Sequence, residues 1–203
     1  REVRTRWFDG GRLNVSQNCL DRHLEARGDK TAILWEADAP GQSQRISYRE
    51  LHEAVCRLAN VLRAQGVRKG DRVCLYLPMI PQAAIAMLAC TRIGAVHSVV
   101  FGGFSATALR DRIQDADCQV VITADAARRG GKTVPLKAQV DEALAECPNV
   151  RNVIVVRHTG ADIAWQDGRD LDYQALADAA DPDCAPEPME AEDPLFILYT
   201  SGS

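Results

Sequence analysis

The chain has 203 residues, 46% of them hydrophobic and 26% charged, so it can bury a core and falls outside the composition of disordered sequences. A formal charge of −4, from 24 basic and 28 acidic residues, argues against a dedicated nucleic-acid binder and leaves room for a local basic site. Seven cysteines without a C-x-x-C pair argue against a disulfide framework or a zinc site and for a reducing cytoplasm, and no apolar run approaches the roughly 20 residues that cross a bilayer.

Residues 1–30 read as a polar arm followed by a helix in "SQNCLDRHLEARGD", with Ser16 as N-cap and Gly28 as stop. An α/β core is expected over 31–160. It opens with strands at "TAILWE" and "RISY". A capping box, Ser47 with Glu50, then starts a helix whose stripe is Leu51, Val55, Leu58, Ala59 and Leu62. From there strands and helices alternate: "DRVCLYLP", a helix opened by Pro81, "AVHSVVF", a helix capped by Ser105, "CQVVITA", "PLKAQVDEALAEC" and "VRNVIVVRH". Apolar strands, each followed by a helix, imply right-handed crossovers and a mostly parallel sheet with helices on both faces. Residues 161–194 form an acidic, Pro-containing excursion with one short helix near 171–179, and 195–203 return as a strand running into "TSGS".

Three stretches could carry chemistry. In "YTSGS", Thr200, Ser201 and Ser203 offer hydroxyls and Gly202 lets backbone N–H groups approach an anion, although the same composition also makes a plain turn. In "SVVFGGFS", Gly102 and Gly103 lie between a strand and a capped helix, a tight turn or a place of close approach. In "DAARRGGKTVPLK", Arg128, Arg129 and Lys132 flank Gly130 and Gly131, which suits either a compact polyanion or a solvated basic loop. Lys137 ranks lower because it falls inside the next helix. Cys56, Cys74 and Cys90 read as core residues, and Trp7, Trp35 and Trp165 as packing aromatics. His23 reads as a packing residue, His97 as locally hydrogen-bonded, and His52 and His158 as lacking a carboxylate or cysteine at metal spacing.

"LFILYTSGS" resembles the opening of the phosphate-binding loop of acyl-adenylate-forming enzymes. "NCLDRHL", "ISYRELH", "KGDRVCLYLPMIPQAAIAMLACTRIGAVHSVVFGGFS" and "AEDPLFILYTSGS" together resemble the N-terminal part of the acetyl-CoA synthetase family, over nearly the whole chain. The resemblance implies the N-terminal part of the large domain of such an enzyme. Acetate, ATP and coenzyme A are then the substrates, with Mg²⁺ on the phosphates. Thr200, Ser201, Gly202 and Ser203 would cradle the ATP phosphates. Arg129 and Lys132, with Gly130 and Gly131 between them, would hold the 3′-phosphate and adenine end of coenzyme A, lysine standing where arginine is common. Gly103 would stay small beside the pantetheine arm. No catalytic residue is expected within the chain, which opens on Arg1 and halts inside the motif, so a catalytically inactive piece of a longer ligase is expected. A propionyl-CoA or other short-chain acyl-CoA synthetase shares most of this pattern, and a stand-alone nucleotide- or CoA-binding module is the reading from another class.

Overall fold

The computed structural model describes residues 5–200. In place of one N-terminal helix it has α1 (Val15–Cys19), a 3₁₀ turn (Asp21–His23) and α2 (Leu24–Arg27). The cap is Asn14, whose side chain accepts the Gln17 N–H; Ser16 is buried inside α1. The same amide donates to the carbonyls of Thr91, Arg92 and Glu187 at 2.8, 3.2 and 2.9 Å, so tertiary anchoring overrides local helix continuation. Gly28 does end α2, with φ at −51°, and its need for glycine is spatial: a Cβ would lie 2.5 Å from the Leu24 carbonyl oxygen and against the Arg49 guanidinium.

Strands β1 (Thr31–Glu36) and β2 (Ser43–Ser47) pair antiparallel. The capping box then forms at α3 (Tyr48–Ala64): the Glu50 N–H donates to Ser47 Oγ at 3.2 Å, and the Ser47 N–H donates to Glu50 Oε2 at 2.7 Å. The expected stripe of α3 is fully buried.

The remaining elements are β3 (Arg72–Tyr76), α4 (Pro81–Arg92), β4 (Val96–Val99), α5 (Ala106–Asp115), β5 (Val120–Ala124), β6 (Ala127–Arg129), β7 (Lys132–Val134), α6 (Leu136–Leu144), β8 (Asn152–Val156), β9 (Asp170–Asp172), α7 (Tyr173–Ala179) and β10 (Phe196–Ile197). Six of the strands build a parallel sheet in the order β10-β4-β3-β5-β8-β9. Helix α4 carries the chain from β3 to β4 in one direction. Helices α5 and α6 carry it back past β3 to β5 and on to β8. With right-handed crossovers, opposite directions place the helices on opposite faces, and the packing agrees: α4 lies against α3, and α5 against α6.

Several expectations are revised. Residues 127–134 form a β-hairpin where a basic loop was expected, and Asp170–Asp172 adds an edge strand before the expected short helix. That strand is held by Lys137, whose buried ammonium lies 2.8 Å from both Asp141 and Asp170. Trp7 is 73% exposed and packs no core. His52 does have acidic and cysteine neighbours: Asp21 at 3.4 Å and, one helical turn on, Cys56 at 3.7 Å. A guanidinium occupies their midst. The buried Arg92 grips Asp21 through two bonds of 2.9 Å and donates to the Cys184 carbonyl at 2.5 Å, which pins the N-terminal turn and residues near 184 to α4. His97, expected to be locally hydrogen-bonded, is buried beside Phe196, and its Nδ1 has no hydrogen-bond partner among the described residues.

Candidate functional site

Strands β3, β4, β5 and β8 end together on one cleft of about 620 Å³. Its floor comes from the segments that follow them, Leu77 to Ile80, Phe101 to Gly103, Ala127 to Arg129, and His158 with Thr159. The β1–β2 hairpin supplies the outer wall, including Trp35 and Asp38. The chain leaves β3 one way toward β4 and the other way toward β5, so the cleft sits outside the carboxyl ends of strands where connections diverge, the usual ligand position of open α/β sheets.

Two local structures hold the walls. The Trp35 indole N–H donates to the Met79 carbonyl at 2.7 Å, fixing β1 to the loop after β3. At the end of β5, the buried Asp125 accepts backbone N–H groups from Ala126, His158, Thr159 and Ala161 at 2.7 to 3.1 Å, which shapes the loop after β8. Burial alone would raise the Asp125 carboxyl, yet these N–H bonds hold it below the ordinary carboxylate value.

The β6–β7 hairpin forms because its charged strands meet at two glycines able to take left-handed angles, Gly130 at φ +54° and Gly131 at +75°. Its register sets Arg129 directly opposite Lys132, so the two cations share one face. Like charges in that position repel, and among the described residues neither forms an ion pair within 4 Å. The Arg129 guanidinium lies 5.2 Å from the Phe101 ring centre, a cation–π contact. A Cβ on Gly103 would come within 2.6 Å of that ring and 3.1 Å of the guanidinium, so glycine is what lets the pair sit there.

The structure therefore brings Gly103 and Arg129 together in the cleft and sets Gly130, Gly131 and Lys132 at the hairpin tip beside it. Thr200 follows β10 at the sheet edge beyond β4 and does not line this cleft. Ser201, Gly202 and Ser203 lie outside the described residues. Sequence reasoning missed Phe101, although it stands two residues before Gly103, and Asp38, whose partners are 92 and 93 positions away. A second, apolar groove of about 480 Å³ shares the wall made by Trp35, Leu77 to Ile80, and Phe101, and extends to Met87, Phe104 and Leu198. A polar, cationic cleft joined to an apolar groove suits an extended ligand with one anionic end.

Comparison with known proteins points the same way. The family model described as AMP-binding enzyme matches residues 20–203. Acetyl-coenzyme A synthetase 2 of Pseudomonas putida is 69% identical over 201 residues, covering 98% of this chain and 31% of its own length. Acetyl-coenzyme A synthetase of Halorhodospira halophila is 67% identical, with the same coverage of each chain. Among solved structures, acetoacetyl-CoA synthetase from Streptomyces lividans superposes with a TM-score of 0.89 at 37% identity, over 97% of this chain and 30% of that one. The chain thus spans about 31% of the length of the curated relatives it matches.

Proposed function

This chain belongs to the AMP-binding enzyme family, and on that premise we propose that it is the N-terminal part of an AMP-forming acetate–CoA ligase. In the first half-reaction an acetate oxygen attacks the α-phosphorus of ATP. The bond to the β-phosphate breaks and pyrophosphate leaves. In the second, the coenzyme A sulfur, having lost its proton, attacks the acetyl carbonyl and AMP departs. The first step joins two anions and calls for N–H and cationic stabilisation, with Mg²⁺ arriving on the phosphates of ATP. Thr200, Ser201, Gly202 and Ser203 are proposed to serve the ATP phosphates.

For the second step, this chain supplies the coenzyme A cleft. Arg129 and Lys132 are proposed to hold the nucleotide end, with Gly130 and Gly131 giving close backbone approach. Gly103 leaves room for the Phe101–Arg129 pair and for the arm of the ligand. The observation that carries this reading is the shared face of Arg129 and Lys132 at the mouth of the cleft. Acetate is favoured as the acid by relatives that are 60% to 69% identical and bear that name. The likeness to an acetoacetyl-CoA synthetase supports a longer short-chain acid as the second reading. Seven cysteines without a C-x-x-C pair favour the reducing cytoplasm as the place of reaction.

Replacing Arg129 tests the assignment. Arg129→Ala should weaken coenzyme A by about tenfold or more, from the loss of a charge-assisted phosphate contact, and dephospho-coenzyme A much less. Equal losses for the two ligands would overturn it.

A further inference from the structure

The turn that separates Arg129 from Lys132 already holds an anion. Gly130 donates its N–H to Asp38 Oδ1 at 3.1 Å, and Gly131 donates to Asp38 Oδ2 at 3.3 Å. Neither N–H is needed by the hairpin, whose closing pair is Arg129 with Lys132. Two successive left-handed residues aim both donors outward, the concave arrangement of backbone N–H groups that collects carboxylate or phosphate oxygens. Asp38 itself belongs to another element, the connection between β1 and β2, and it is exposed. Both contacts are long for charge-assisted bonds, so water or another anion can replace them at small cost. The flanking cations remain uncompensated: among the described residues Arg128, Arg129 and Lys132 form no ion pair within 4 Å. The turn thus carries one negative charge against three positive ones.

Resting on the reading that this cleft takes coenzyme A, we propose that Asp38 is an anionic placeholder that competes with the phosphate for the turn. Its carboxylate occupies the Gly130–Gly131 donors until a phosphate monoester displaces it. A monoester carries about 1.5 to 2 negative charges at neutral pH, by the usual second ionisation near 6, and offers three acceptor oxygens, so it outcompetes a singly charged carboxylate beside Arg129 and Lys132. A ligand without that group leaves Asp38 on the turn and gains little from its removal. The turn therefore selects for the terminal monoester.

The test uses coenzyme A and dephospho-coenzyme A as titrants, with the glycine amides of the chain labelled with ¹⁵N. In the wild type, coenzyme A should shift the Gly130 and Gly131 signals and dephospho-coenzyme A should leave them in place. Asp38→Asn removes the competing charge and keeps the side-chain shape. It should tighten coenzyme A by about fivefold, the scale of one exposed charge contact, with dephospho-coenzyme A changing less. Preference for coenzyme A should also fall as pH drops below about 6, where the monoester takes up its second proton. Unchanged or weaker coenzyme A binding in Asp38→Asn would overturn the placeholder role, as would equal tightening of both ligands. The cleft reading fails separately, if coenzyme A binds without moving either glycine signal or if Arg129→Ala binds both ligands as the wild type does. A glycine spectrum of Asp38→Asn that otherwise matches the wild type verifies that the variant is folded.

Discussion

His97 shows how a single buried side chain can set a pH response. Burial pushes its imidazole down to about 4 from an ordinary value of 6.5, and among the described residues its Nδ1 has no partner to offset the loss of water. Between those two values the unfolded chain takes up a proton that the folded chain refuses. Its contribution to stability is therefore complete above 6.5 and declines as pH falls toward 4. The carboxyls of Asp21, Asp125 and Asp170 are held below 3.8, so their own losses set in at the acid end of that window and fall mostly beneath it. His97→Leu should flatten the urea midpoint between pH 6.5 and 4; a slope equal to that of the wild type would exclude His97 as its source. Gly103→Ala should push the Phe101 ring off Arg129, since the added Cβ would lie 2.6 Å from it, and should weaken coenzyme A binding with little change in folding stability. Unaltered affinity would show that the pair has no part in the site. At this scale the sequence marks Gly103 and Arg129 because glycine pairs and clustered cations stand out. Asp38 is hidden, since nothing local distinguishes it from any other turn aspartate.

Elements whose stability is local were legible, and those that depend on distant partners were not. The capping box at Ser47 and Glu50 announces α3, because both partners lie within one turn. Ser47→Ala should cost about 1 kcal/mol in urea unfolding by leaving an N-terminal N–H without its acceptor. A loss no larger than that at an exposed surface serine would contradict that role. The N-terminal helix was misread because Asn14 answers to carbonyls 77, 78 and 173 positions away. Strand β9 has the acidic sequence Asp170–Leu171–Asp172, with no apolar run to betray a sheet edge, and it owes its place to Lys137 and Arg169. The β6–β7 hairpin is hidden for a similar reason: Arg128 and Arg129 face Thr133 and Lys132, a pairing set by the two-glycine turn and not by apolar burial.

At the scale of the molecule, alternating apolar strands and helices were enough to imply a parallel sheet covered on both faces, and the right-handed crossover rule fixes which helices share a face. That topology gathers the ends of four strands into the cleft, so Gly103 and Arg129, 26 positions apart, become neighbours: a Cβ on Gly103 would lie 3.1 Å from the guanidinium. The strand leading to Thr200 lies instead at the outer edge, next to β4. On the proposed reading labour is divided, with Thr200 to Ser203 assigned to ATP and the cleft to coenzyme A. The most direct test compares the two half-reactions in the whole protein that carries this chain, wild type against Arg129→Ala. Acetate-dependent exchange of pyrophosphate into ATP reports adenylation, and acetyl-CoA formation reports thioester transfer. The expected result is exchange close to that of the wild type, with thioester formation at subsaturating coenzyme A reduced about tenfold or more. Exchange falling in step with thioester formation, or neither changing, would contradict the assignment of this cleft to coenzyme A.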